Sequence, residues 1–124
     1  MDSDDGGTRA NAAYAIRHLA KLSPAAWEKL TAAVRKEPGN DIVRASLVSA
    51  AFVHAPADQK AHFKAELLKY AGSETNDAKY EVCAALAKEG HSDDLPLLSG
   101  LLDDDNSDVR VGAAHAIVRI LKAR

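Results

Sequence analysis

Apolar residues recur along this chain at helical spacing, in blocks that come in pairs. In SPAAWEKLTAAVRKE, beginning at Ser23, the residues Trp27, Leu30 and Val34 fall on one helical face. ADQKAHFKAELLKYAG, from Ala57, does the same with Phe63, Leu67 and Tyr70, and SDDLPLLSGLLDD, from Ser92, with Leu95, Leu98 and Leu102. Ser23-Pro24 predicts a helix start, a capping serine followed by proline in the first turn, and Pro96 is tolerable in the same place. Gly39, Gly72 and Gly90 stand where helices should stop.

Each of these blocks is followed by a second, richer in small residues, and the second blocks superimpose. DVRVGAAHAIVRIL, from Asp108, lies without a gap under DAKYEVCAALAKEG, from Asp77; IVRASLVSAAFVH, from Ile42, and GTRANAAYAIRHLA, from Gly7, lie above them. Arg9, Arg44, Lys79 and Arg110 come into register at spacings of 35, 35 and 31 residues. Small or aliphatic pairs follow at Ala12-Ala13, Leu47-Val48, Val82-Cys83 and Ala113-Ala114. A repeat of this length predicts stacked helix pairs. The expected chain is a lone second helix and then three complete pairs, about seven helices in units of roughly 8–22, 23–55, 56–90 and 91–124, behind a disordered tail over 1–7.

Composition agrees with an all-α, single-domain chain of 124 residues. Alanine supplies about a fifth of it, aromatics only 5%, so the core is aliphatic and helix axes can approach closely. The net charge of −2 argues against a dedicated nucleic-acid binder, which carries a basic surplus. Cys83 is the only cysteine, so no internal disulfide forms. The acidic MDSDDGG start is unlike a signal peptide, and the longest apolar stretch, around 45–55, is too short and too polar to span a bilayer. These features together point to a cytoplasmic protein without a membrane partner.

The pattern resembles HEAT-like repeats, including the short bacterial variety found in phycobilin lyases. Leu95-Pro96-Leu97-Leu98, Leu101-Leu102, Asp108-Val109-Arg110, Ala113-Ala114 and Ala116-Ile117 carry the resemblance, which covers about residues 8–121 and is closest in the fourth unit. It implies an α-solenoid of about three and a half repeats wound as a right-handed superhelix. It also implies a ladder, in which Arg44, Lys79 and Arg110, with Arg9 in the same register, meet the acidic residues Asp41, Asp77 or Asp108 of the turns. The inner, concave wall would be built by the second helix of each pair. Positions aligned with Gly112, His115 and Arg119 would line it: Asn11, Tyr14 and His18, then Ser46, Ser49 and Val53, then Glu81, Ala84 and Lys88. That wall is small and flat at its centre, with Tyr14 as an aromatic anchor. It is basic at its C-terminal edge through Lys88, Arg119 and Lys122, with Arg17 and Lys21 near the other end. Such a groove suits a helix or an extended acidic segment of a partner protein.

The ends of the stack carry a second expectation. The first unit lacks its first helix, and Val111 and Val118, seven apart on the last helix, share a face that Leu121 extends. Exposed solenoid ends need polar caps, so these three residues predict an end contact, either self-association or a partner site.

Catalytic and metal chemistry find little support. Counted from Asp103, the acidic run DDDNSD has Asp108 and Ala114 where a calcium loop needs glycine and glutamate. His18, His54, His62, His91 and His115 form no close ligand spacing, and no glycine-rich phosphate loop or nucleophile elbow occurs. Cys83 aligns with small core positions and reads as a small hydrophobe. The expectation is a non-enzymatic adaptor, scaffold or regulatory module with no cofactor and no metal. Nucleic-acid binding, as in HEAT-like alkylpurine glycosylases, and a tetrapyrrole lyase or chaperone role are the alternatives.

Overall fold

A computed structural model describes residues 12–13, 15–17, 19, 21–37 and 41–123. Residues 12–13 and 15–17 are helical. Six α-helices with defined bounds follow: α1 (Pro24–Lys36), α2 (Asp41–His54), α3 (Ala57–Leu68), α4 (Asn76–Glu89), α5 (Leu95–Leu101) and α6 (Ser107–Lys122). Short 3-10 helices at Lys69–Gly72 and Ser92–Asp94 extend α3 and lead into α5. No strand occurs among the described residues.

The local signals explain the boundaries. Ser23 Oγ accepts a hydrogen bond from Ala26 N–H at 3.2 Å, and Pro24 opens α1. Asn106 caps α6 in the same way, its Oδ1 accepting from Val109 N–H at 3.1 Å. Asp94 is buried at the entrance to α5. Its Oδ2 accepts from His91 N–H at 2.9 Å and pairs with Lys64 Nζ at 2.8 Å, pinning α3 to the start of the last unit. Gly90 ends α4 for a steric reason. A Cβ there would lie 2.5 Å from the Leu86 carbonyl oxygen and 2.9 Å from Ile120 Cδ1, so any side chain would have to displace the last turn of α4 itself.

The core follows from how these helices stack. α2, α4 and α6 pack side by side as an inner spine, with α1 against α2 and α5 against α6. In the third unit α3 lies against α2, and its 3-10 extension closes on α4. Leu47, Val48, Val82, Cys83, Leu86, Ala113 and Ala116 fill the spine and are fully buried. Leu30 and Val34 from α1 and Phe63 and Leu67 from α3 cover it from outside, with Trp27 edge-on to Phe63 at 5.6 Å between ring centroids. In α5 the inward residues are Leu98 and Leu101, whereas Leu102 is exposed. The expected Leu95/Leu98/Leu102 face is corrected because α5 ends at Leu101 and Leu102 already belongs to the acidic turn. The all-α solenoid of stacked helix pairs is the observed architecture.

Candidate functional site

The inner spine presents a groove of about 460 Å³ between α4 and α6. Its position follows from side-chain size. Gly112 sits at the closest approach of the two helices: a Cβ there would lie 3.0 Å from the Tyr80 ring and 3.2 Å from Cys83 Cβ. Small residues therefore form the floor, Ala84 and Ala87 from α4 and Gly112 from α6. Lys88, His115 and Arg119 converge on it, Tyr80 and Val111 stand at the rim, and Arg17 reaches it from the first unit. No carboxylate lines this groove among the described residues. In a chain whose net charge is −2, it is a local concentration of positive charge.

The expected wall is thus partly assembled. Lys88, His115 and Arg119 come together, with Ala84 and Gly112 beneath them. Ser49 does not line the groove; it is fully buried, and Ser46 at 4% and Glu81 at 9% exposure are nearly so. The reason is a polar network that crosses three units inside the spine. Arg17, 2% exposed, forms an ion pair with Glu81 and donates to Ser49 Oγ at 3.4 Å. Ser46 Oγ donates to the Ile42 carbonyl at 2.9 Å and lies 3.5 Å from Glu81 Oε1. Arg17 is accordingly an internal cation rather than one of the solvated charges expected near the far end of the wall. Tyr14, His18 and Asn11 lie outside the described residues.

The ladder also takes a different form. Lys79 Nζ pairs with Asp104 Oδ1 at 2.6 Å, across the boundary between the third and fourth units. Arg44 Nη1 donates to the Val34 carbonyl at 2.9 Å, and Arg110 Nη1 to the carbonyls of Asp104 and Asp105 at 2.8 and 3.0 Å. Asp77 and Asp108, expected as partners, are exposed in the first turns of α4 and α6, where they face the positive ends of those helices. The turn after α5 folds back over Lys79, so its carboxylate and carbonyls do the pairing. Arg9 and the Asp41 side chain lie outside the described residues. The Lys79 hydrogen bond, helped by the Asn106 N–H, holds the Asp104 carboxyl below the usual aspartate range.

Among the remaining candidates, Cys83 is fully buried, and desolvation pushes its thiol up to about 11. That environment suits a packing residue and opposes a nucleophile. Among the described residues no group of three histidine, cysteine, aspartate or glutamate side chains is placed to hold a metal ion. No helix among them is long and apolar enough to cross a membrane. Val111, Val118 and Leu121 are 67%, 47% and 49% exposed on α6, Val111 at the rim of the groove.

Sequence register could have revealed the buried ion pair. Arg17 occupies the position held by Phe52, Ala87 and Val118 in the other units, and Glu81 the position of Asn11, Ser46 and Gly112. Opposite charges at such apolar and small positions, on helices destined to stack, are a signal for an internal pair.

The family model for the HEAT repeat matches residues 95–123, which are α5, the acidic turn and α6. No curated protein and no solved structure matches the sequence. With its last unit matched by that family model and its helix pairs stacked through an inner spine, the chain carries a HEAT repeat at residues 95–123 and is similar to HEAT-repeat proteins in its all-α architecture.

Proposed function

We propose that this chain is a non-catalytic interaction module that holds an acidic segment of another protein in the groove between α4 and α6. HEAT repeats serve generally as protein-interaction scaffolds, and the groove specifies the chemistry of the segment. The observation that carries the reading is the convergence of Lys88, His115 and Arg119 over a floor of Ala84, Ala87 and Gly112, with no carboxylate among the described lining residues. A floor without large side chains admits a backbone closely, and the cations then fix it through carboxylates. No serine or cysteine is among the described lining residues, so no Ser–His or Cys–His pair supports a catalytic reading of the groove. Selection from a random peptide library tests the reading. The expected winners are rich in aspartate and glutamate, and their binding is lost on Lys88→Glu/Arg119→Glu. Winners without acidic residues, or equal binding by the double variant, would overturn it. A single-stranded oligonucleotide titrated at low salt separates the nucleic-acid alternative, because phosphate-driven binding would be strong there and fall steeply with added salt.

A further inference from the structure

We propose that the groove reads the polarity of its occupant: an extended segment of a partner protein, acidic at one end and basic at the other, with an apolar residue between. The proposal rests on the anion-holding reading of the groove and adds what its far end selects. Past Tyr80 and Val111 the groove continues toward the N-terminal ends of α4 and α6 as a second hollow of about 390 Å³, and those two residues line both parts. Asp77 and Asp108 line the continuation, and no lysine or arginine does so among the described residues. One end of the channel is therefore cationic and the other anionic, with a phenol ring and a valine at the waist.

The repeat register shows that this charge is patterned. α4 carries Asp77, Tyr80 and Lys88, and α6 carries Asp108, Val111 and Arg119 at the same three offsets, each 31 residues later. α2 does not continue the pattern, because the aligned positions there hold Ile42, Ala45 and Val53. The channel thus belongs to the last two inner helices alone. Its charges are also uncommitted. Lys88, Arg119, Asp77 and Asp108 are all exposed and form no ion pair among the described residues, whereas Lys60, Lys64 and Lys79 each hold a carboxylate. The positive ends of α4 and α6 offset part of the charge on Asp77 and Asp108. A partner cation there accordingly adds selectivity more than raw affinity.

Helix geometry sets the spacing. Eleven residues separate Asp77 from Lys88, and eleven separate Asp108 from Arg119, which is about 16 Å along a helix axis. An extended chain covers that distance in about five residues. Tyr80 and Val111 lie one turn from the aspartates, so the apolar residue of the segment falls nearer its basic end. A uniformly acidic segment would set its own carboxylates against Asp77 and Asp108, and that repulsion rejects it in favour of a charge-balanced one.

Fluorescence anisotropy with two labelled peptides of equal length is the test. One carries a pair of glutamates, then a leucine, with a pair of lysines five residues beyond the glutamates; the other has glutamates in place of the lysines. The wild-type chain should bind the charge-balanced peptide about fivefold more tightly, despite its lower net charge. Asp77→Asn/Asp108→Asn should bring the two peptides within about twofold while circular dichroism stays helical, and Asp77→Lys/Asp108→Lys should reverse the preference. Serine in place of the leucine should weaken binding several-fold, and no effect would overturn the apolar contact at the waist. Equal or tighter binding of the all-acidic peptide by the wild type would overturn the polarity and leave the anion-holding groove standing. A preference that survives Asp77→Asn/Asp108→Asn would overturn its assignment to those carboxylates. Failure of both peptides to bind, or binding that Lys88→Glu/Arg119→Glu leaves intact, would overturn the groove reading itself and this proposal with it.

Discussion

Removing Glu81 should be among the most damaging single changes available to this fold. The Arg17 guanidinium is 2% exposed and the Glu81 side chain 12%, so their ion pair sits in the packed spine and not at its surface. Glu81→Ala strips the carboxylate from a cation that cannot easily reach water. Breaking a buried pair from one side costs about 3–5 kcal/mol. A domain of this size has about 5–15 kcal/mol of total stability, so the variant should lose about a fifth of it or more. With a urea m-value of about 2 kcal/mol/M, a loss of ~4 kcal/mol moves the midpoint by about 2 M. Urea unfolding followed by far-UV circular dichroism measures this, and an unchanged m-value would show that the two end states are the same. Replacing both partners, Arg17→Met/Glu81→Leu, removes the desolvation cost together with the attraction. That variant should recover most of the loss, because apolar replacement of a buried pair is often neutral or stabilising. A Glu81→Ala loss below about 1 kcal/mol, the range of solvent-exposed pairs, would refute the reasoning.

Other residues give sharper local tests. With its thiol pushed up to about 11, Cys83 should react with a thiol-specific disulfide reagent only slowly in the native protein at pH 8 and at once after unfolding; rapid native labelling would contradict its burial. Asp104 has a folded pKa below its unfolded value, so its pairing with Lys79 stabilises the fold above the ordinary aspartate range. That contribution should disappear as pH falls from about 4 through the lower folded pKa, and the stability difference between wild type and Asp104→Asn should fade over the same window. Gly112→Leu should force Tyr80 and Cys83 away from α6, costing about 1–3 kcal/mol by overpacking and closing the groove; an unchanged melting temperature would mean the two helices are not in close contact there.

What the sequence makes legible here is what depends on neighbours along the chain. Trp27, Leu30 and Val34 show their common face, and Ser23-Pro24 shows its cap, because helical spacing and capping are local properties. Repeat register extends this to the site, since Lys88 and Arg119 occupy equivalent positions one unit apart and reach the same groove, with His115 one turn before Arg119. Register alone does not give depth. Ser46, Ser49 and Glu81 share the wall positions by alignment, yet the close packing of α2 and α4 and the demand of Arg17 for acceptors draw them inside. The ladder shows the same limit. Lys79 meets Asp104 because a short α5 lets the following turn fold back, a consequence of where that helix ends and not of residue type.

Backbone chemical-shift mapping tests the central claim most directly. An acidic peptide from the library selection is titrated into the labelled full chain while amide shifts are followed. Shifts should cluster on α4 and α6 around Ala84, Lys88, Gly112, His115 and Arg119, and should vanish in Lys88→Glu/Arg119→Glu. Shifts confined to α3 and α5 on the opposite side of the stack, or a titration that the double variant leaves intact, would contradict an anion-holding groove between α4 and α6.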